Sequence, residues 1–359
     1  MTTKIALDRR EFLKQATRAA VTIAVCDGVT PADTHADSPV PPAGTIPVRT
    51  LGKTGLKLPI LGYGGAGLPK KWGNPLSLED RVKLVRHAYD SGICYFDTSI
   101  SYSYSESQEI IGKALKGVRD KVFLTTKVDF WDTSKPDGRI TKVDKKAVTR
   151  QVEKNLAELQ TDYIDAILIH GTPGVEQMTV EQCMEVQGEL AKARDKGLVR
   201  FMGFSAHGYF DKALELVETG GFDLCMLACG YLPRGHNQRF SEKSLTLREK
   251  CLEAARQRRM GIVAMKAIGA GMLGAWSGNI VPAFDKQRLK QLPGAALRHV
   301  LQDQRVHMLT IGMRLRSEID ANLTTLAGDV TCTADDRALL AEFSARLSHA
   351  DAFTKMKIE

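Results

Sequence analysis

Short apolar runs alternate along this chain with longer amphipathic stretches. The segments 93–97, 122–127, 163–169, 199–204, 222–228, 261–265 and 308–311 are brief and dominated by apolar, often β-branched or aromatic, residues, as strands buried on both faces are. Between them, 105–116, 144–160, 180–195, 209–219, 246–258 and 294–304 carry apolar residues at helical spacing, and further helices follow from Ser317 and over 335–348. Upstream, 58–61 reads as a first strand. A helix to Asp90 starts behind Ser77-Leu78-Glu79-Asp80, with Val82, Val85 and Ala88 or Tyr89 on one face and Gly92 as its stop. The segments 48–51 and 56–58, turned through Gly52-Lys53-Thr54-Gly55, predict a hairpin plugging the floor of the fold. Eight strand-helix units in alternation predict an α/β fold with parallel strands and right-handed crossovers. Eight units fit closure better than an open sheet, which makes the fold a (β/α)8 TIM barrel with an N-terminal hairpin and a C-terminal extra helix.

Several predicted strands end on a chemical group. The run before Asp97 delivers a carboxylate to a strand tip, and the loop Thr98-Ser99-Ile100-Ser101-Tyr102 follows it. Phe123-Leu124-Thr125-Thr126 ends in Lys127, and the run to Ile169 ends in His170. A parallel barrel gathers such tips at one mouth. There an ammonium beside a tyrosine hydroxyl favours the phenolate and lowers its pKa from about 10. Lys127 is expected to act so on Tyr102, Asp97 to hold Lys127, and His170 to orient or donate to an oxygen that becomes negative. Together the four describe protonation of a carbonyl oxygen as hydride arrives at its carbon. Gly62-Tyr63-Gly64-Gly65 at the first strand tip admits close backbone approach by a ligand, or is a mere turn.

Composition narrows this reading only slightly. The chain has 359 residues, 43% hydrophobic and 26% charged, as a soluble globular protein does, and no apolar run of about 18 residues predicts a membrane span. Fifty basic against 42 acidic residues give +8, scattered along the chain, and no nucleic-acid motif accompanies them. The seven cysteines at 26, 94, 183, 225, 229, 251 and 332 form neither a Cys-x-x-Cys pair nor a metal-type cluster; buried free thiols and no metal are expected. Residues 1–45 differ from the rest. Asp8-Arg9-Arg10-Glu11-Phe12-Leu13-Lys14 resembles the twin-arginine (Tat) export signal, with a weakly apolar segment 19–25 and a Pro/Ala/Asp-rich linker behind it. The expected organisation is a signal peptide and linker over 1–45 and one catalytic domain over 46–359. Export would place it in the periplasm or outside the cell; without a working signal it is cytoplasmic. Cys26 follows Val25, too large a residue for the usual lipid-attachment site.

From about Val48 to Leu326 the sequence resembles the aldo-keto reductase superfamily. The resemblance rests on Asp97-Thr98-Ser99 with Tyr102, Ser105-Glu106, Thr126-Lys127, Ile169-His170, Gly203-Phe204-Ser205, and Gly312-Met313-Arg314 with Asn322. It implies the same catalytic roles for Tyr102, Asp97, Lys127 and His170, and an extended nicotinamide dinucleotide, NADP with NAD as the alternative, across the barrel mouth. Gly64, Ser205, Lys266, Gly312, Arg314, Arg316, Glu318 and Asn322 are the implied cofactor contacts. Ser205 matches a position that bonds the nicotinamide amide; Ala206, Met226 and Met265 replace an asparagine, a glutamine and a stacking tyrosine. Arg314 matches the arginine for the adenosine phosphate, Asn322 the adenine contact, and the turn into the following helix offers free N–H groups to phosphate. Glu318 stands where a basic or amide residue is frequent, to repel a 2′-phosphate or accept from a ribose hydroxyl. Certain relatives with a similar Phe-Ser-x-His-Gly turn carry an iron-sulfur segment; none is expected here, as no cysteine follows Cys332. The implied partners are a small carbonyl or alcohol substrate and the export machinery. Two other readings stay open: a lyase forming a Schiff base through Lys127, and a catalytically weak cofactor-sensing or binding protein on the same fold. Trp72, Tyr104, Phe130 and Trp131 could line a pocket or merely pack locally.

Overall fold

Eight parallel strands close into a barrel in chain order, each but one hydrogen-bonded to the strand of the unit before it and the ring sealed between first and last. The structure is a computed structural model and describes residues 46–130 and 140–359. The strands β1 (Val48–Thr50) and β2 (Lys57–Pro59) form the antiparallel hairpin. The barrel then runs β3 (Leu61–Gly64), α1 (Leu78–Asp90), β4 (Tyr95–Asp97), α2 (Glu106–Ala114), β5 (Phe123–Val128), α3 (Lys145–Leu159), β6 (Ile164–Ile169), α4 (Val180–Asp195), β7 (Val199–Ala206), α5 (Phe210–Glu218) and β8 (Leu224–Ala228). After β9 (Gln238–Arg239) come α6 (Glu242–Gln257), β10 (Gly261–Met265), α7 (Leu292–Leu301), β11 (Met308–Ile311), α8 (Arg316–Ala327), the extra helix α9 (Ala334–Leu347) and β12 (Lys357–Ile358), which pairs with β9. Short helical turns at Ser277–Ile280, Lys286–Leu289 and Asp351–Thr354 fill the remaining connections.

The first barrel strand begins at Leu61, three residues later than the apolar pattern predicts. Leu58 and Pro59 pair with Arg49 and Val48 in the hairpin, and Pro59, lacking an N–H, ends that ladder before the chain turns into the barrel. The hairpin turn meets the N-terminal end of β10, where Lys53 donates its backbone N–H to Arg259, so it closes the barrel floor as expected. Helix α1 is capped by Ser77, whose hydroxyl accepts the Asp80 N–H at 3.1 Å; α4 starts with a reciprocal box between Thr179 and Gln182. Helix α6 starts four residues earlier than its apolar periodicity indicates. Its first turn is polar, and the start is set by Ser241, which caps the Ser244 N–H at 3.2 Å.

One continuous core fills the barrel and the space under its helices, and a smaller one packs Met272, Phe284, Leu292, Leu340, Phe343 and Phe353 beneath α9. Cys94, Cys183, Cys225, Cys229, Cys251 and Cys332 are buried free thiols; Cys26 lies outside the described residues, as do Arg9, Arg10 and the rest of 1–45. Among the described residues no helix is long and apolar enough to cross a membrane.

Candidate active site

Strands β4 and β5 lie side by side, with Asp97 paired to Thr125. The period of two along a strand puts Lys127 on the same face, one step further toward the mouth. The Lys127 ammonium donates to Asp97 Oδ1 at 2.6 Å, to the Thr98 carbonyl at 2.7 Å and to the Tyr102 hydroxyl at 3.4 Å. All three N–H bonds are thereby used. Lys127 and Asp97 are 1% and 3% exposed, a depth at which either charge alone would cost several kcal/mol. Burial pulls Lys127 down, but Asp97 and Tyr102 outweigh it and hold the ammonium above its ordinary pKa. From α3, Asn155 fixes the strand by donating to the Lys127 carbonyl at 3.1 Å.

Tyr102 arrives on a turn that few side-chain-bearing residues tolerate. Ser103, Tyr104 and Ser105 follow it with φ of 53°, 54° and 76°, three left-handed residues in succession, each costing about 1–2 kcal/mol. The Ser105 hydroxyl pins this turn to the Ile100 carbonyl at 3.2 Å. The indole of Trp72 stands edge-on to the Tyr102 ring, centroids 5.5 Å apart. The expected lowering of the Tyr102 pKa is not what the geometry produces. Burial pushes it up to about 12, and the ammonium, held at the long distance of 3.4 Å, offsets only part of that. Tyr102 is therefore a fully protonated acid near neutral pH, and Lys127 stabilises the phenolate only once the proton has left.

His170 follows β6 at its tip, with its ring 5.8 Å from that of Tyr102. Its Nδ1 donates to Asp129 Oδ1 at 2.7 Å, and Ser99 donates to the other oxygen of that carboxylate at 3.1 Å. Burial raises Asp129, yet His170 and the Ser101 and Ser99 hydroxyls together bring it below the usual carboxylate range. Asp129 is the site residue that the sequence reasoning missed. Its signal was there, an acidic residue two positions past Lys127, but it falls just beyond the apolar run. With Nδ1 committed, Nε2 is the ring atom left for a ligand, and it donates only when the ring is an imidazolium.

The remaining predicted contacts fall into two groups. Ser205, fully buried, accepts the Gly171 N–H at 2.8 Å, which ties the tips of β6 and β7 together and leaves the hydroxyl proton free to be donated. Met226 and Met265 are buried in neighbouring strands. Burial drives His207 well below its ordinary pKa, and its Nδ1 has no hydrogen-bond partner. Lys266 stands just past β10, half-buried. At the other side of the mouth, a Cβ on Gly64 would lie 3.0 Å from the Gly312 nitrogen, so packing of β3 against the tip of β11 already leaves little room for a side chain there. Gly312 is exposed, Arg314 half-buried and Arg316 exposed on the first turn of α8, with Asn322 buried two turns on. The N–H groups of this turn are not all free, contrary to expectation. Glu318 takes those of Arg314 and Leu315 at 2.5 and 3.3 Å, capping α8 with its own carboxylate. Of the aromatic residues, Phe130 is buried, Tyr104 is 89% exposed beside Lys71, and Trp131 lies outside the described residues.

The arrangement offers a proton donor, a fixed cation behind it and a second donor beside it, all at the C-terminal mouth of a parallel barrel. A family model, the Aldo/keto reductase family, matches residues 60–344. The chain is 26% identical over 322 residues to L-galactose dehydrogenase from Arabidopsis thaliana, covering 84% of this chain and 94% of that protein. An aldo-keto reductase from Bacillus halodurans, solved in its holo form, superposes with a TM-score of 0.64 at 20% identity, covering 83% of this chain and 96% of its own. Another, from Klebsiella pneumoniae in complex with NADP and acetate, gives 0.58 at 16% identity over 82% and 94%. With the family model spanning every barrel strand and the tyrosine, lysine, aspartate and histidine converging at the mouth, the chain belongs to the aldo/keto reductase family.

Proposed function

We propose that this oxidoreductase reduces the carbonyl group of an aldehyde or ketone, or oxidises the corresponding alcohol, with Tyr102 as the proton donor. The observation that carries the reading is the Lys127 ammonium bonded at once to Asp97, to the Thr98 carbonyl and to Tyr102. A nicotinamide cofactor supplies hydride to the carbonyl carbon. The protein's own part is acid catalysis: Tyr102 gives its proton to the oxygen, Lys127 steadies the phenolate left behind, and His170 holds that oxygen through Nε2. Lys127 is bonded as a saturated cation, whereas a Schiff-base role needs a neutral amine.

The residues present fit a dinucleotide. Ser205 has a hydroxyl proton to give at the nicotinamide end, Lys266 is a cation with no hydrogen bond or ion pair among the described residues, and Arg314 and Arg316 supply charge where an adenosine phosphate would lie, with Asn322 beside it. Those arginines favour NADP; Glu318 is the feature that favours NAD. The name of the Arabidopsis relative and the NADP in the Klebsiella structure support a sugar-like substrate and this cofactor class. We further propose that 1–45 is a twin-arginine signal with linker, that 46–359 is the catalytic domain, and that the protein is exported folded with its cofactor.

Deuterium transfer tests the reaction. With NADPH or NADH deuterated at C4 of the nicotinamide and a panel of aldehydes, ketones and aldoses, the label should appear on the carbinol carbon of the product. Cofactor binding with no label in any product contradicts the reading and supports a binding protein instead.

A further inference from the structure

His207 has no task in the reaction proposed above. It stands just past β7 between two other imidazoles, its ring 6.2 Å from that of His170 and 5.7 Å from that of His236. The His170 ring is itself 5.8 Å from that of Tyr102. A row of rings therefore leads away from the proton donor, and His236 at its end lines a cleft of about 550 Å³ with Asn237 and Met272.

The chain fixes the backbone of His207 and leaves its ring unbonded. A Cβ on Gly235 would collide with the His207 carbonyl oxygen, which Gln238 Nε2 meets at 3.4 Å. Two positions on, Tyr209 takes a left-handed φ of 51° and donates its N–H to Glu359 at 2.5 Å. The other oxygen of that carboxylate accepts from Gln238 at 3.1 Å. His207 is only 8% exposed, yet among the described residues neither ring nitrogen makes a hydrogen bond. Groups so deep are nearly always paired. Nδ1 is sealed in, so Nε2 is the nitrogen that a ligand can meet. Burial, then Lys266, His170 and His236, hold the ring well below its ordinary pKa, and near neutral pH it offers one hydrogen bond and no charge. A hydroxyl donates or accepts as needed and so suits Nε2 in either tautomer.

We propose that His207 is a specificity-determining residue which bonds, through Nε2, a hydroxyl on the carbon next to the reacting carbonyl, so that the substrates are α-hydroxy carbonyl compounds such as open-chain aldoses. The proposal rests on the carbonyl-reductase reading above. With the carbonyl oxygen held by Tyr102 and His170, the next carbon falls beside the next ring of the row, and the cleft past it has room for the rest of a longer chain.

The test compares propanal, lactaldehyde and 3-hydroxypropanal in steady-state kinetics of wild type, His207→Leu and His207→Gln. Wild type should favour lactaldehyde over the other two in kcat/KM by about tenfold or more. His207→Leu should lose about tenfold on lactaldehyde while propanal stays within about twofold, and His207→Gln, whose amide can bond a hydroxyl, should recover most of the loss. A wild type indifferent to the hydroxyl or preferring 3-hydroxypropanal, or a leucine variant that loses equally on lactaldehyde and propanal, overturns the proposal and leaves carbonyl reduction standing. Binding decides the matter if no aldehyde turns over, the result that defeats the reductase reading, or if His207→Leu fails to fold. With histidine nitrogens isotopically labelled, propylene glycol should shift the His207 Nε2 resonance, identified by its absence from His207→Gln, and propanol should not. Equal response to the two alcohols overturns the proposal.

Discussion

Asp129 determines what His170 can do. By holding Nδ1 it fixes the ring so that Nε2 is the atom left for a ligand, and Asp129→Asn should lower kcat about 10–100-fold while changing cofactor affinity little. Steady-state kinetics beside a cofactor titration check this; an unchanged kcat would make the pair merely structural. Glu176 makes a different prediction. Its folded pKa, raised to about 7 by burial, means that the folded state holds the proton more tightly than the unfolded chain. The stability it contributes is fully present below about pH 4.5 and is lost as pH rises to about 7, on the order of 3 kcal/mol. Glu176→Gln should flatten that slope in urea melts across pH 5–8, and an unaltered slope would contradict the assignment. Asp97, Tyr102, Lys127 and His170 were legible in the sequence because polar groups at the ends of apolar runs are conspicuous. The direction of the Tyr102 pKa was not, because burial and a nearby ammonium oppose each other and only the 3.4 Å distance decides between them.

At the scale of elements, α8 owes its start to a side chain that the proposed function also places at the cofactor. Glu318 caps the helix through the Arg314 and Leu315 N–H groups. Glu318→Lys should therefore cost about 1 kcal/mol of stability and shift binding toward NADPH over NADH by about tenfold. Thermal melts and the two dissociation constants measure both, and an unchanged cofactor ratio would remove Glu318 from the site. On β6, near the barrel floor, Asp165 serves the fold alone. It pairs with Arg119 at 2.8 Å and Arg200 at 2.7 Å and accepts the Leu124 N–H at 2.9 Å. Asp165→Ala should destabilise by about 3–5 kcal/mol in denaturant melts, with kcat per folded molecule retained. Nothing in the sequence separates this aspartate from Asp97 except its position, early in its apolar run rather than at the end. The helices and most strands were readable from periodicity. The first barrel strand was not, since Leu58 continues an apolar run across a proline, and the two-residue strands β9 and β12 are too short to carry any period.

For the whole molecule, closure of the barrel brings together groups that lie up to 73 positions apart, from Asp97 to His170, with no contact foretold by local sequence. The mouth so formed is the part on which the proposed activity depends. If the protein is exported folded, replacing Arg9 and Arg10 by lysines should hold active, full-length protein in the cytoplasm; fractionation showing unchanged export would dismiss the signal and leave the site untouched. The measurement that bears most directly on the central claim is carbonyl reduction by Tyr102→Phe, with dinucleotide binding titrated on the same preparation. Loss of turnover by about 10³-fold or more, with the cofactor dissociation constant within about twofold of wild type, is the expected result. Turnover near the wild-type rate would contradict Tyr102 as the proton donor and with it the role drawn here for Lys127 and Asp97.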